Sequence, residues 1–167
     1  GVHSFIVTLA TMSIYFGLMT VLTQAQSFKN LPDAFTDIGS MKLIYKYISP
    51  LLLFSIFVGV ILYYLFNYTA IGRKLIAAGA NPSAAELSGI SVNKMFVYCH
   101  MLSGFLAAVA GIMVTMRIGA AIPSIAGHLG FDWLLPAFLA PVLGGTLLQG
   151  GKITVFGTIL GALLVSL

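Results

Sequence analysis

The chain of 167 residues is 59% hydrophobic and only 7% charged, with a net charge of +4 from eight basic and four acidic residues, and its mean hydropathy is +1.05. A soluble domain carries roughly 25% charged residues, so this chain lacks the polar groups to cover itself in water and reads as an integral membrane protein. All the charges except Arg117, Asp132 and Lys152 lie in two polar stretches, a distribution that suits lipid headgroups and excludes a nucleic-acid surface.

The fold class expected is all-α: a polytopic transmembrane helical bundle with about five membrane segments plus short loop helices, because only helices satisfy their own backbone in lipid. The first apolar segment runs from about Phe5 to Leu22, and a polar stretch of residues 24–49 follows. Within it, Pro32 stands like a helix start and Gly39 like a stop. The second span covers roughly Pro50 to Tyr68 and ends in Tyr63, Tyr64, Phe66 and Tyr68, as an aromatic belt at a membrane interface would place them. A second polar stretch fills residues 69–94. The third span, Met95 to Met116, contains no Asp, Glu, Lys or Arg. After a loop marked by Pro123 and Gly127, the fourth segment is expected from about Phe131 to Leu148. Pro136 and Pro141 interrupt it, and the alternatives are a kinked span or a re-entrant segment. "QGGK" then turns the chain into a fifth segment, Ile153 to Leu167. Its length of about 22 Å at 1.5 Å per residue is short of a hydrocarbon core of about 30 Å, so the sequence is expected to be a fragment of a longer protein. Cys99, the only cysteine, excludes an intrachain disulfide and a cysteine metal cluster, and is expected to be an inert buried thiol.

The most constructed piece is "NPSAAELSGISVNK", residues 81–94. Asn81 is a favoured N-cap, Pro82 fits the first helical position, and Gly89 suits a left-handed stop. Two helical turns are unstable alone in water, so these need something to pack against. Ala84, Ala85 and Ser88 are expected to make one smooth side that a partner's surface approaches closely.

The stretch "IGRKLIAAGANPSAAELSGISVNKMFVYCHMLSGFLAAVAGIM" resembles the cytoplasmic loop and following span of ABC importer permeases of the ribose and monosaccharide type. Gly72, Arg73, Ala78, Gly79, Asn81, Ala84, Ala85, Leu87, Ser88, Gly89, Ile90 and Val92 match their pattern, as do Leu102, Ser103, Gly104, Ala107, Ala108, Ala110 and Gly111. "LGGTLLQGGKITVFGTILGALL" is similar to the glycine-rich ending of such permeases. "FDWLLPAFLAPVL", with Trp133, departs from the alternating run that many relatives have before the paired glycines.

This resemblance implies that residues 1–167 are the C-terminal part of one permease transmembrane domain, with a coupling loop at about 69–94 and a periplasmic loop at about 24–49. It implies an ATP-driven, binding-protein-dependent importer of a monosaccharide such as ribose, galactose or xylose in a bacterial inner membrane. Alternatives are a nucleoside, a branched-chain amino acid or a furanosyl signalling molecule as cargo, or an ion-coupled secondary transporter. The implied partners are ABC ATPase subunits, a second permease copy or homologue, a periplasmic substrate-binding protein and the lipid membrane. ATP and Mg belong to the ATPase, so this chain is neither an enzyme nor the holder of a cofactor or metal. Gly79, Asn81, Pro82, Ala84, Ala85, Glu86, Leu87, Ser88 and Gly89 are carried over as the ATPase-coupling residues, with Ser83 standing where wider relatives have an acid. Counted by lysine and arginine, the two polar stretches tie: Arg73, Lys74 and Lys94 against Lys29, Lys42 and Lys46.

Two further sets of residues complete the expectation. Gly104, Ala108 and Gly111, together with Gly144, Gly145, Gly157 and Gly161, are small residues at which helices approach closely. Thr8, Tyr98, His100 and Ser103 are polar groups in apolar spans and form a candidate substrate path, although such groups are more commonly satisfied by backbone carbonyls. His100 and Ser103 lack an orienting third group, which argues against an intramembrane hydrolase.

Overall fold

A computed structural model describes residues 4–29, 31–40, 49–123 and 130–167. Lys42, Lys46 and Gly127 lie outside them. In chain order the helices are α1 (Ser4–Thr23), α2 (Asp33–Ser40), α3 (Pro50–Tyr68), α4 (Ala70–Ala80), α5 (Pro82–Leu87), α6 (Val92–Ile118), α7 (Leu134–Leu143) and α8 (Val155–Ser166). Among the described residues the extended pairing is an isolated antiparallel bridge between Phe28 and Ala121.

Among the described residues three helices are long and apolar enough to cross a membrane, at Ile6–Thr23, Pro50–Tyr68 and Val92–Ile118. At 1.5 Å per residue α6 reaches about 40 Å, beyond a hydrocarbon core of about 30 Å. Large apolar side chains such as Leu18, Phe57, Phe105 and Ile112 stand exposed along these helices, which in water would be prohibitive and in lipid is the favourable arrangement. Their hydroxyls are satisfied within the helix: Thr11 and Ser13 donate to the carbonyls of Val7 and Leu9 at 2.7 and 3.2 Å.

Two ends of the bundle are distinguishable. At one, α2 lies against the end of α6 so closely that a Cβ on Gly39 would collide with the Met116 carbonyl. Gly39 is therefore a contact residue inside α2 and not the stop that its position suggested. Pro32 does open the helix, its carbonyl accepting from Phe35 N–H at 2.9 Å. The bridge between Phe28 and Ala121 joins the end of α1 to the same end. At the other end, α4 and α5 fill the polar stretch before α6 begins at Val92.

The fourth apolar segment is not the span to Leu148 expected from hydropathy. Helix α7 stops at Leu143, with Pro141 inside it, and Gly145 turns the chain in a left-handed conformation at φ 80°. Leu147 and Leu148 fall in the connection to α8. Helix α7, 10 residues long, packs tightly against α8.

Candidate functional site

The sequence between α3 and α6 folds into a continuous sequence of short, capped pieces. Thr69 ends α3 and starts α4: its hydroxyl donates to the Leu65 carbonyl at 2.6 Å and accepts from Gly72 N–H at 3.1 Å. Gly72 is buried there, so close to the backbone of Leu65 and Phe66 that a side chain would strike it. Asn81 repeats the device between α4 and α5. Its N–H donates to the Ala77 carbonyl at 3.2 Å, and its Oδ1 accepts from Ala84 N–H at 3.1 Å. Pro82 occupies the first turn of α5, where its missing N–H costs nothing.

The C-terminus of α5 closes with a paired hydrogen-bond motif. Ile90 N–H donates to the Ala85 carbonyl and Gly89 N–H to the Glu86 carbonyl, both at 2.9 Å, while Gly89 holds φ 78°. This is a Schellman arrangement, for which the left-handed residue favours glycine. Ile90 then packs back on the cluster formed by Leu75, Ala78, Ala85, Val92 and Met95. Helix α5 is six residues long and would be marginal alone; the caps and this cluster hold it.

The two faces of α5 have opposite fates. Ala85 is 4% exposed and lies inside the cluster. The expected smooth side of Ala84, Ala85 and Ser88 is therefore corrected: Ala85 packs into the chain's own core and is closed to a partner. Leu87 is 92% exposed, an apolar side chain held outward by a backbone fixed on its other side. Ser83, Ala84, Glu86 and Ser88 are exposed beside it. No local signal distinguishes Leu87; once Ala85 is known to face inward, a step of two residues, about 200° of helix, turns Leu87 outward.

The candidate path residues are not gathered into one site. His100 Nδ1 lies 2.8 Å from the Phe96 carbonyl, and Thr8, Tyr98, His100 and Ser103 are all exposed. None of the four borders the cavity of about 490 Å³ between the second half of α6 and Trp133, whose walls include Ala107, Ala110, Gly111 and Thr115. Cys99, expected to be buried, is exposed. The small residues divide. A Cβ on Gly144, Gly157 or Gly161 would collide with the facing backbone of the α7–α8 pair, whereas Gly104 and Gly111 meet nothing within 4 Å and Ala108 is exposed. Gly145 also faces open space, so turning the chain is its structural task. Among the described residues no cluster of His, Cys, Asp or Glu is suited to a metal.

Among curated proteins the chain is similar to the ribose import permease protein of Haemophilus influenzae, 39% identical over 98% of this chain and 50% of that protein. The D-allose transport system permease protein of Escherichia coli is 34% identical over 99% of this chain and 49% of its own length. The galactose/methyl galactoside import permease protein of Haemophilus influenzae is 30% identical over 98% and 49% respectively. The chain thus spans about half the length of the curated relatives it matches. No solved structure matches it. With residues 1–167 all matched, this multi-pass membrane chain belongs to the family described as "Branched-chain amino acid transport system / permease component".

Proposed function

We propose that the chain is part of the permease subunit of an ATP-driven, binding-protein-dependent monosaccharide importer in a bacterial inner membrane, and that α5 is the helix through which an ABC ATPase drives it. The observation that carries this reading is α5 itself: capped at both ends, buried on one side in its own chain, and presenting Leu87 on the other. A loose loop would absorb a partner's displacement; this helix passes it to α4 and α6. Conformational energy is transmitted only through contacts that differ between states, and a rigid protruding side chain is suited to supply one. The reading puts the α5 end in the cytosol and the α2 end in the periplasm, where a substrate-binding protein docks. A second permease completes the membrane path, and ATP and Mg bind the ATPase alone. The named relatives import or transport ribose, allose and galactosides, which supports a sugar as cargo over an amino acid or a nucleoside.

The test is reconstitution of the full-length permease with its ATPase and binding protein, measuring ATP hydrolysis with binding protein loaded in turn with pentoses, hexoses and leucine. Stimulation by a sugar-loaded form alone is the expected result. Stimulation by leucine alone, or uptake that persists without ATP on an ion gradient, overturns the proposal.

A further inference from the structure

The turn between α7 and α8 reaches the base of α5. Gly150 and Gly151 are consecutive left-handed residues, at φ 93° and 85°, and their backbone lies directly on the last residues of α4. A Cβ on Gly150 would stand 2.5 Å from the Gly79 carbonyl oxygen, and one on Gly151 would stand 3.0 Å from both Cα and Cβ of Ala80. Gly79 faces the contact from the other side, with Gly151 N 3.2 Å from where its own Cβ would be. Asn81, the cap of α5, is the next residue after Ala80. At Gly79 and Gly150 two backbones meet without an intervening side chain, so closer approach is met at once by van der Waals repulsion and separation forfeits close-packed contact.

The turn is also fixed to the hairpin behind it. Gly150 N–H donates to the Leu147 carbonyl at 3.1 Å and Leu147 N–H to the Lys152 carbonyl at 3.2 Å, closing its neck. Just beyond, Thr154 N–H donates to Thr146 Oγ1 at 3.2 Å, and the Thr154 hydroxyl donates to the Gly144 carbonyl at 2.6 Å. The Thr146 hydroxyl also lies 3.1 Å from that of Thr154 and 3.4 Å from that of Thr158 on α8. Contact therefore runs without a gap from the cap of α5 through Gly150 and Gly151 to both α7 and α8.

We infer that Gly150 and Gly151 are positioning residues that clamp the α7–α8 hairpin to the base of α5, so that the two move as one body. The coupling helix then has a route into the membrane besides α4 and α6, and that route ends on α7 and α8. The part played in transport rests on the function proposed above; the clamp itself does not.

Two measurements on the full-length protein test it, with Gly145→Ala as the control. Gly145 has the same positive φ, at 80°, but open space where a Cβ would be, so it reports backbone strain without the contact. In the first, the reconstituted importer is assayed for uptake and for basal ATP hydrolysis. Gly150→Ala is expected to keep its ATPase and its basal hydrolysis while uptake falls about tenfold, within the range of roughly 5- to 150-fold typical of coupling between sites; Gly145→Ala is expected to retain uptake. In the second, spin labels at Ser83→Cys and Lys152→Cys, both exposed positions, are placed in permease lacking its other cysteines and without any ATPase. Their distance distribution is expected to be narrow, to stay narrow with Gly145→Ala, and to broaden with Gly150→Ala. Equal distributions in the two glycine variants, or undiminished uptake in Gly150→Ala, overturn the inference. A narrow-to-broad change in permease to which no ATPase binds leaves the clamp standing and sinks the proposed function instead.

Discussion

Ala85 and Leu87 stand two residues apart on one short helix, and their substitution separates support from docking. Leu87 is almost wholly exposed, so Leu87→Ala leaves the melting temperature of the purified permease unchanged. Burial of a leucine side chain in a partner's groove is worth about 2 kcal/mol, and on the proposed function its loss is expected to raise the Kd for the ATPase roughly 30-fold, measured by titrating ATPase onto permease in nanodiscs. Ala85→Leu acts the other way. It overfills a site bounded by Leu75, Ala78, Val92 and Met95, costs about 1–3 kcal/mol, and shows first as a lower melting temperature. The caps of this helix are legible in the sequence because they are local: Asn81, Pro82 and Gly89 act on backbone groups within a few residues of themselves. Which face turns inward is set by Leu75 on α4 and Met95 on α6, on the two neighbouring helices, and no pattern within α5 encodes it.

At the scale of elements, the three long spans announce themselves by uninterrupted hydropathy, and their limits in the structure fall within a few residues of those expected. The fourth segment does not, because Leu147 and Leu148 are as apolar as a membrane helix requires yet lie in a turn. Hydropathy reports that a residue favours apolar surroundings over water, and not whether its backbone is helical. The signals that compete with it are Pro141 within α7, the pair Gly144 and Gly145, and the threonines that fasten the turn. The crossing of α7 and α8 depends on residues without side chains. A Cβ on Gly161 would meet the Ala140 carbonyl, so Gly161→Leu forces the two helices apart. Its expected cost is about 1–3 kcal/mol, read as earlier thermal unfolding of the purified full-length protein. The closeness that glycines permit was readable from GxxxG spacing in α8; the identity of the facing helix was not, since it depends on how the turn folds.

Across the whole molecule, charge leaves the orientation open. Lys152, in the turn that touches Gly79 and Ala80, joins Arg73, Lys74 and Lys94 at the α5 end, while Arg117, in the last turn of α6, joins Lys29 at the α2 end. Counting Lys42 and Lys46 with their loop, the tie in the sequence persists, and orientation follows from the proposed docking of α5. In a cysteine-free background of the full-length protein, a membrane-impermeant maleimide is expected to label Lys29→Cys in intact spheroplasts and Ser83→Cys only after permeabilisation; the opposite pattern reverses the bundle. One feature constrains the architecture more severely than any charge. Thr69 and Asn81 each close one helix and open the next, so from Pro50 to Leu87 every residue is either within a helix or shared as the cap of two. A single inserted residue would advance everything beyond it by about 1.5 Å and rotate it by about 100°, enough to take Leu87 off its outward face. The number of residues in this stretch is therefore as much a part of its specification as their chemistry, and exchanging helices between relatives has to conserve count and phase together.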